Sequence, residues 1–305
     1  MKDREPPASP AAGSFADSSE KRVPLPPAEW RRAGKRGEPA LERFFKRREP
    51  YCVSACSRYL HKTIHDHLWY VPDSEGEVRS FLILNRRSLF PVFNGKAGVP
   101  LPRFIPRLLS RVSIHAIQGL REDAEPLEEA LAGFGCSLAE RIDYDLMTLE
   151  GAPNPEALES GPPDLVLREP GPADLAALIP LQAGYEREEV LPRGAVFNPQ
   201  VSRKSLEHIL GREQILTAEL DGRIVGKINT NAESFSCWQI GGVYVHPDYR
   251  DRGIARRMTA AFIERLTSKG KRATLFVKKQ NPAARTVYRR LGFKAIADYR
   301  ITYYN

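Results

Sequence analysis

Apolar and polar positions change period several times along this chain, and the changes mark its elements. In "GIARRMTAAFIERLTSKG", Ile254, Met258, Ala261, Phe262 and Leu266 recur at steps of three and four, giving one apolar helical face that ends at Gly270. "NPAARTVYRRLGF" predicts a short helix, with Asn281 at the cap and Pro282 in the first turn. "QILTAELDGRIVGKINTNAES" alternates as two strands about an Asp221-Gly222 turn, a strong hairpin signal. "CWQIGGVYVHP" is strand-like but broken by Gly241-Gly242, and "RATLFVKK" and "KAIADYRITYY" supply further strands. Upstream, "LVLREP" predicts a strand and "GPADLAALIPLQAGYEREEV" a helix starting near Gly171 or Asp174. "SRKSLEHILGR" follows as a helix with Ser202 as cap candidate. The order over residues 164–305 is β-α-α-β-β-β-α-β-α-β.

The first half is patterned differently. "ALERFFKRREPYCVSACSRYLHKTI" is helical with a break near Pro50, and "SFLILNRRSLFPVF" forms two strands around Asn85-Arg86-Arg87. "RVSIHAIQG" is a strand and "EDAEPLEEALAGFG" a helix with Asp123 as candidate cap and a stop at Gly133 or Gly135. "IDYDLMTLE" alternates as a strand. Residues 41–150 therefore read as a compact α/β domain. Residues 151–163, rich in Pro and Gly, read as a linker before the 164–305 domain. Residues 1–40 hold too little apolar surface to offset the entropy of ordering and are expected to form a disordered tail.

Composition narrows the class. With 42% hydrophobic and 28% charged residues the chain is globular, and no run of about 18 apolar residues suggests a membrane span. Four cysteines in 305 residues, with no apolar leader, fit a reducing cytoplasm better than a disulfide framework. A net charge of +8 favours anionic partners without choosing between nucleic acid and a phosphorylated ligand. Neither a recognition helix nor an aromatic-interleaved basic strand is evident, so nucleic acid is not expected. Cys52, Cys56, His61 and His65 sit at i, i+4 spacing within each pair. No loop folds one pair onto the other, so buried cysteines and surface histidines are expected rather than a metal.

Chemistry concentrates in "VYVHPDYRDRGIARRM". A glycine-tolerant turn feeding a helix leaves unpaired N–H groups and a favourable dipole at the helix start, suited to a pyrophosphate. Gly253 allows close approach because it lacks a Cβ, and Arg250 and Arg252 add multidentate donors. Arg250-Asp251-Arg252-Gly253-Ile254-Ala255 matches the Q/R-x-x-G-x-G/A loop of the GNAT acyltransferases. "NPAARTVYRRLGF" matches their Asn-x-x-Ala-x-x-x-Tyr-x-x-x-Gly-Phe helix. With both motifs in order after the right strand, residues 164–305 resemble that family.

The resemblance implies a mixed, mostly antiparallel sheet with a splayed central strand pair, flanked by helices. It implies acetyl-CoA as cosubstrate and an amine acceptor, small molecule or protein, attacking the thioester directly in a ternary complex. Arg250, Asp251, Arg252, Gly253, Ile254 and Ala255 would hold the pyrophosphate. The backbone of Val243, Tyr244 and Val245 would take the pantetheine arm and polarise the carbonyl. Asn281 and Arg285 would contact the cofactor, and Tyr288, two turns from Asn281, would protonate the CoA thiolate.

Some family members carry a base glutamate where this chain has Gln239, so Glu188 and Glu189 become the candidates for acceptor binding or a water-relayed base. The cluster also includes Glu186. His246 is a weaker alternative, and Cys237 is not expected to act as a nucleophile. The first half resembles the N-terminal domain of unknown function found in one bacterial GNAT subfamily, read as a degenerate GNAT-like half. It shows no second Q/R-x-x-G-x-G/A loop, so one cofactor site is expected rather than two. A non-catalytic acyl-CoA-binding module is the alternative reading.

Overall fold

The structure is a computed structural model and describes residues 30–34, 38–62, 66–72, 75–93, 101–110 and 112–305. In the first half, β1 (Arg31–Arg32) leads to α1 (Glu38–Arg48) and α2 (Val53–Leu60), separated by a 3-10 turn at Glu49–Tyr51. Next come β2 (His67–Pro72), β3 (Val78–Asn85), β4 (Ser88–Phe93), α3 (Leu101–Leu109), β5 (Ala116–Leu120), α4 (Arg121–Gly133) and β6 (Leu138–Leu149). The second half runs β7 (Val166–Arg168), α5 (Leu175–Tyr185), a π-helical turn at Glu186–Val190, α6 (Pro199–Arg212), β8 (Ile215–Leu220), β9 (Arg223–Glu233) and β10 (Cys237–Val245). It closes with α7 (Ile254–Ser268), β11 (Arg272–Lys278), α8 (Pro282–Arg290) and β12 (Lys294–Tyr304).

Among the described residues, twelve strands form one sheet in the order β1-β2-β3-β4-β5-β12-β6-β11-β10-β9-β8-β7. Its centre is an exchange. The last strand of the first half, β6, lies antiparallel between β11 and β12, with Lys278 opposite Tyr144 and Ala273 opposite Leu149. The last strand of the chain, β12, lies between β6 and β5, with Tyr303 opposite Ala116. Each half thus lends its final strand to the sheet of the other, a pairing that the alternation of either strand leaves open.

Helix packing follows the apolar stripes. Ile254, Met258, Phe262 and Leu266 of α7 are buried in one core with Leu216, Val225, Ile240 and Leu275. The Asp221-Gly222 turn has positive φ at both residues, as a tight hairpin requires. Glu49 locks the first half onto the start of β10: its buried carboxylate accepts from the backbone N–H groups of Ser236 and Cys237 and from the Ser234 and Ser236 hydroxyls. Burial pushes this carboxyl up, but those hydrogen bonds outweigh it and hold Glu49 below the usual value.

Several expectations are corrected. Within the segment expected as a tail, Trp30 is buried against Phe93, Arg31–Arg32 pair with β2, and α1 begins at Glu38. The remaining residues 1–29 and 35–37 lie outside the described residues. Helix α6 starts at Pro199 rather than Ser202, because the Asn198 side chain accepts from Gln200 and Val201 N–H and Pro199 suits the first turn. Asp123 is buried in the first turn of α4 rather than at its cap.

Candidate active site

Strands β10 and β11 are parallel neighbours only from Cys237 to Gln239. Beyond that they part, and β10 bulges against β9 between Gly241 and Tyr244. The bulge needs both glycines. A Cβ on Gly241 would overlap the Asn231 amide, and one on Gly242, at φ 60, would overlap Asn229 and approach the Lys227 ammonium. Lys227, Asn229 and Asn231 recur at every second residue of β9, so they share one face. The Lys227 Nζ donates to Asn229 Oδ1 (2.9 Å) and to the Gly242 carbonyl (3.1 Å), and Asn229 donates to Asn231 (3.1 Å). Lys227 is fully buried, and burial pulls its pKa down to about 7, only partly opposed by Glu186. This polar row escaped the sequence reading, although its period of two opposite a Gly-Gly pair was a usable signal.

The end of β10, the start of α7 and α8 border a cavity of about 320 Å³ lined by Val243, Tyr244, Val245, Arg250, Asp251, Gly253, Ile254, Ala255, Asn281 and Tyr288. Of the expected cofactor-contacting residues, all but Arg252 and Arg285 are therefore brought to one cleft. Gly253 caps α7 at φ 77 with no side-chain bond, so the first N–H groups of this helix have no side-chain cap. The glycine is required for a second reason: a Cβ there would lie 2.9 Å from the Gly161 backbone nitrogen.

The arginines of this stretch also make contacts within the protein. Arg250 donates to the Val245 carbonyl (3.1 Å) and pairs with Glu188 (2.8 Å). Arg252 reaches the Asp248 carbonyl (3.2 Å). Arg256 and Arg257 hold the Ser160 hydroxyl (2.8 Å) and the Pro162 carbonyl (2.9 Å). They fasten the 151–163 segment over the start of α7 and do not form an open basic patch. Arg285 is a correction: it donates to Asp145 of β6 at 2.7 Å and lines neither this cleft nor the cavity beyond it. Asp145 draws it away because that buried carboxylate needs cationic partners; burial raises Asp145, but Lys279 and Arg285 hold it below its usual range.

A second cavity of about 260 Å³ adjoins the first, sharing Val243, Glu189, Asn281, Ala284 and Tyr288. Tyr144, Tyr185, Phe276 and Tyr303 complete its walls, and Gln118 reaches it from β5. Asn281 caps α8 through Ala284 N–H (3.0 Å) and donates to Glu189 Oε1 (3.1 Å). Glu189 also sits 3.4 Å from Lys278. Glu188 is instead held by Tyr244 (2.8 Å) and Arg250 and, of these two cavities, lines the first and not the second. Tyr288 lies where the two cavities meet, and burial, then Tyr185 and Glu189, push its phenol well up, so it stays protonated.

Gln239 is buried and accepts from Ser54 of α2 at 2.9 Å, so it belongs to the seam between the halves and not to either cavity. His246 accepts from Asp248 N–H as the cap of the Pro247–Tyr249 turn. Cys237 is buried, and burial raises its thiol to about 11, against a nucleophilic thiolate. Cys52 and Cys56 lie in the apolar core of the first half, His61 pairs with Glu233 (3.2 Å), and His65 is outside the described residues.

Comparison with known proteins agrees with this geometry. Residues 184–293 match the family described as Acetyltransferase (GNAT) family. The solved structure of a GCN5-related N-acetyltransferase from Sphaerobacter thermophilus superposes with a TM-score of 0.59, at 19% identity over 91% of this chain and 96% of its own. An acetyltransferase from the GNAT family from Colwellia psychrerythraea gives 0.55, at 12% identity over 90% of this chain and 98% of its own. A tandem GNAT protein from the clavulanic acid biosynthesis pathway gives 0.57, at 12% identity over 90% and 98%. At such identities the likeness is one of fold, here over nearly the whole chain. Comparison with curated proteins finds no match. The bulged β10, the open splay and the bare start of α7 all lie inside the segment that matches the acetyltransferase (GNAT) family.

Proposed function

We propose that this protein transfers an acetyl group from acetyl-CoA to an amine by direct attack. The observation that carries this reading is the adjacency of the two cavities: one borders the start of α7 and the end of β10, and the other shares Val243, Glu189, Asn281, Ala284 and Tyr288 with it. The start of α7 suits a pyrophosphate, and the edge of Val243–Val245 suits an extended amide-bearing arm. The bulge at Gly241–Gly242, braced by Lys227 and Asn229, holds backbone groups where an oxyanion would develop.

In this reading the amine nitrogen forms the new C–N bond and the C–S bond breaks. The surplus proton on nitrogen passes to Glu189, directly or through water. Tyr288 supports the departing sulfur. Its burial makes it a weak acid toward a free thiolate, so its part is a hydrogen bond to the sulfur as charge builds, with proton transfer tied to C–S cleavage. Glu188, fixed by Tyr244 and Arg250, shapes the cleft mouth and takes no proton.

The test is calorimetric acetyl-CoA binding together with amine-dependent thiol release. Binding with amine-dependent release is expected. Binding without release across a broad amine panel reduces the protein to an acyl-CoA-binding module, and absence of binding removes the reading.

A further inference from the structure

The acceptor cavity has a composition that the cofactor cleft lacks. Its walls include Tyr144, Tyr185, Tyr288, Tyr303 and Phe276, with Tyr144 and Phe276 edge to face at 5.1 Å between centroids. Among the described residues its single lining carboxylate is Glu189, already bonded to Asn281 and 3.4 Å from Lys278. Its volume of about 260 Å³ falls below the span usual for drug-sized ligands. Two of its tyrosines stand on the exchanged strands: Tyr144 on β6, and Tyr303 on β12 where β12 pairs with β5. The first half therefore helps build the acceptor end of the second half's cleft.

Resting on the acyl-transfer reading, we propose that the acceptor is a compact monoamine with an aromatic body, selected by the tyrosine walls that the strand exchange brings to Glu189. Aromatic faces stack on an aromatic body and attract an ammonium by their quadrupoles. One carboxylate, partly neutralised by Lys278, meets one positive charge; a polyamine would bury further charges without partners. An acceptor with its own carboxylate would set a second anion beside Glu189. A folded protein or long peptide would have to thread a side chain into a cavity that the cosubstrate already shares at Val243 and Tyr288.

The experiment compares 2-phenylethylamine, propylamine, spermidine and a short peptide with a free N-terminus, by kcat/KM of thiol release, in wild type, Tyr303→Ala and Tyr303→Phe. Acetyl-CoA affinity of each protein is measured by calorimetry. 2-Phenylethylamine is expected to be preferred by about tenfold or more, on the scale of one stacked or cation-bound ring. Tyr303→Ala should erase most of that preference while leaving acetyl-CoA affinity near wild type, and Tyr303→Phe should keep it. Preference for spermidine or the peptide, or an unchanged ratio in Tyr303→Ala with normal acetyl-CoA binding, overturns the acceptor class alone. Failure of wild type to bind acetyl-CoA overturns the acyl-transfer reading and this inference with it.

Discussion

The two halves place corresponding strands in corresponding positions, yet among the described residues only one of them is open. In the first half, β4 pairs with β5 in parallel at Ser88 and Leu89, as β10 pairs with β11 from Cys237 to Gln239. The pairing of β4 with β3 runs without a register shift, and the partners of Phe90 and Pro91 are the apolar Ile83 and Leu82. Pro91 fills the space beside β5, coming within 3.2 Å of where a Cβ on Gly119 would stand. In the second half the strand facing β10 carries Lys227, Asn229 and Asn231 instead of apolar residues, and two glycines bulge over them. A filled splay makes a core; a bulged splay, braced by buried polar groups, makes a cleft. The price is stability, because Lys227 is a buried amine.

Substitutions can break this contrast. Gly253→Glu is expected to weaken acetyl-CoA binding by about a hundredfold or more, since it places an anion at the helix start and a side chain against Gly161. Calorimetry reads the loss, and circular dichroism checks that the fold survives. Gly242→Ala should lower kcat by about 10²-fold, the scale of losing one oxyanion-stabilising donor, because its Cβ would meet Asn229. Tyr288→Phe should lower kcat by about 10- to 100-fold, at or below the lower end of general-acid contributions, with acetyl-CoA affinity nearly unchanged. A Tyr288→Phe enzyme with wild-type turnover would remove Tyr288 from the chemistry.

Stability effects should be smaller and differ between the halves. Glu49→Gln leaves buried donors short of an acceptor and is expected to lower stability by about 1–3 kcal/mol, read as a lower denaturant midpoint. For Lys227 the sign follows from its depressed pKa. Between about 7 and its ordinary value of 10.5 the unfolded chain binds the extra proton, so stability rises with pH across that window and the penalty of burial is full below it. Lys227→Met should therefore show a shallower rise in melting temperature from pH 7 to 10 than wild type. Parallel curves would place the charge elsewhere.

Much of this was legible in local patterns. The Asp221-Gly222 turn, the Gly241-Gly242 break, the Gly253 helix start and the Asn281 cap are signals written in a few adjacent residues, and each appears in the fold. What escaped reading depends on distant partners. Alternation marks β6 and β12 as strands but cannot say that each crosses to the other half. Arg285 looks like a cofactor contact until Asp145, 140 residues away, claims it. Gln239 looks like a missing base until Ser54 shows it turned into the seam. Tyr144 and Tyr303 carry no local sign of sharing a cavity, because the exchange alone brings them together.

The proposed function gives the chain one acetyl-CoA cleft, in the second half. Its most direct test is the stoichiometry of acetyl-CoA binding by calorimetry in wild type, Gly253→Glu and Pro91→Ala. One equivalent per chain, lost in Gly253→Glu and retained in Pro91→Ala, is the predicted result. Two equivalents, or binding that survives Gly253→Glu and disappears with Pro91→Ala, would contradict it.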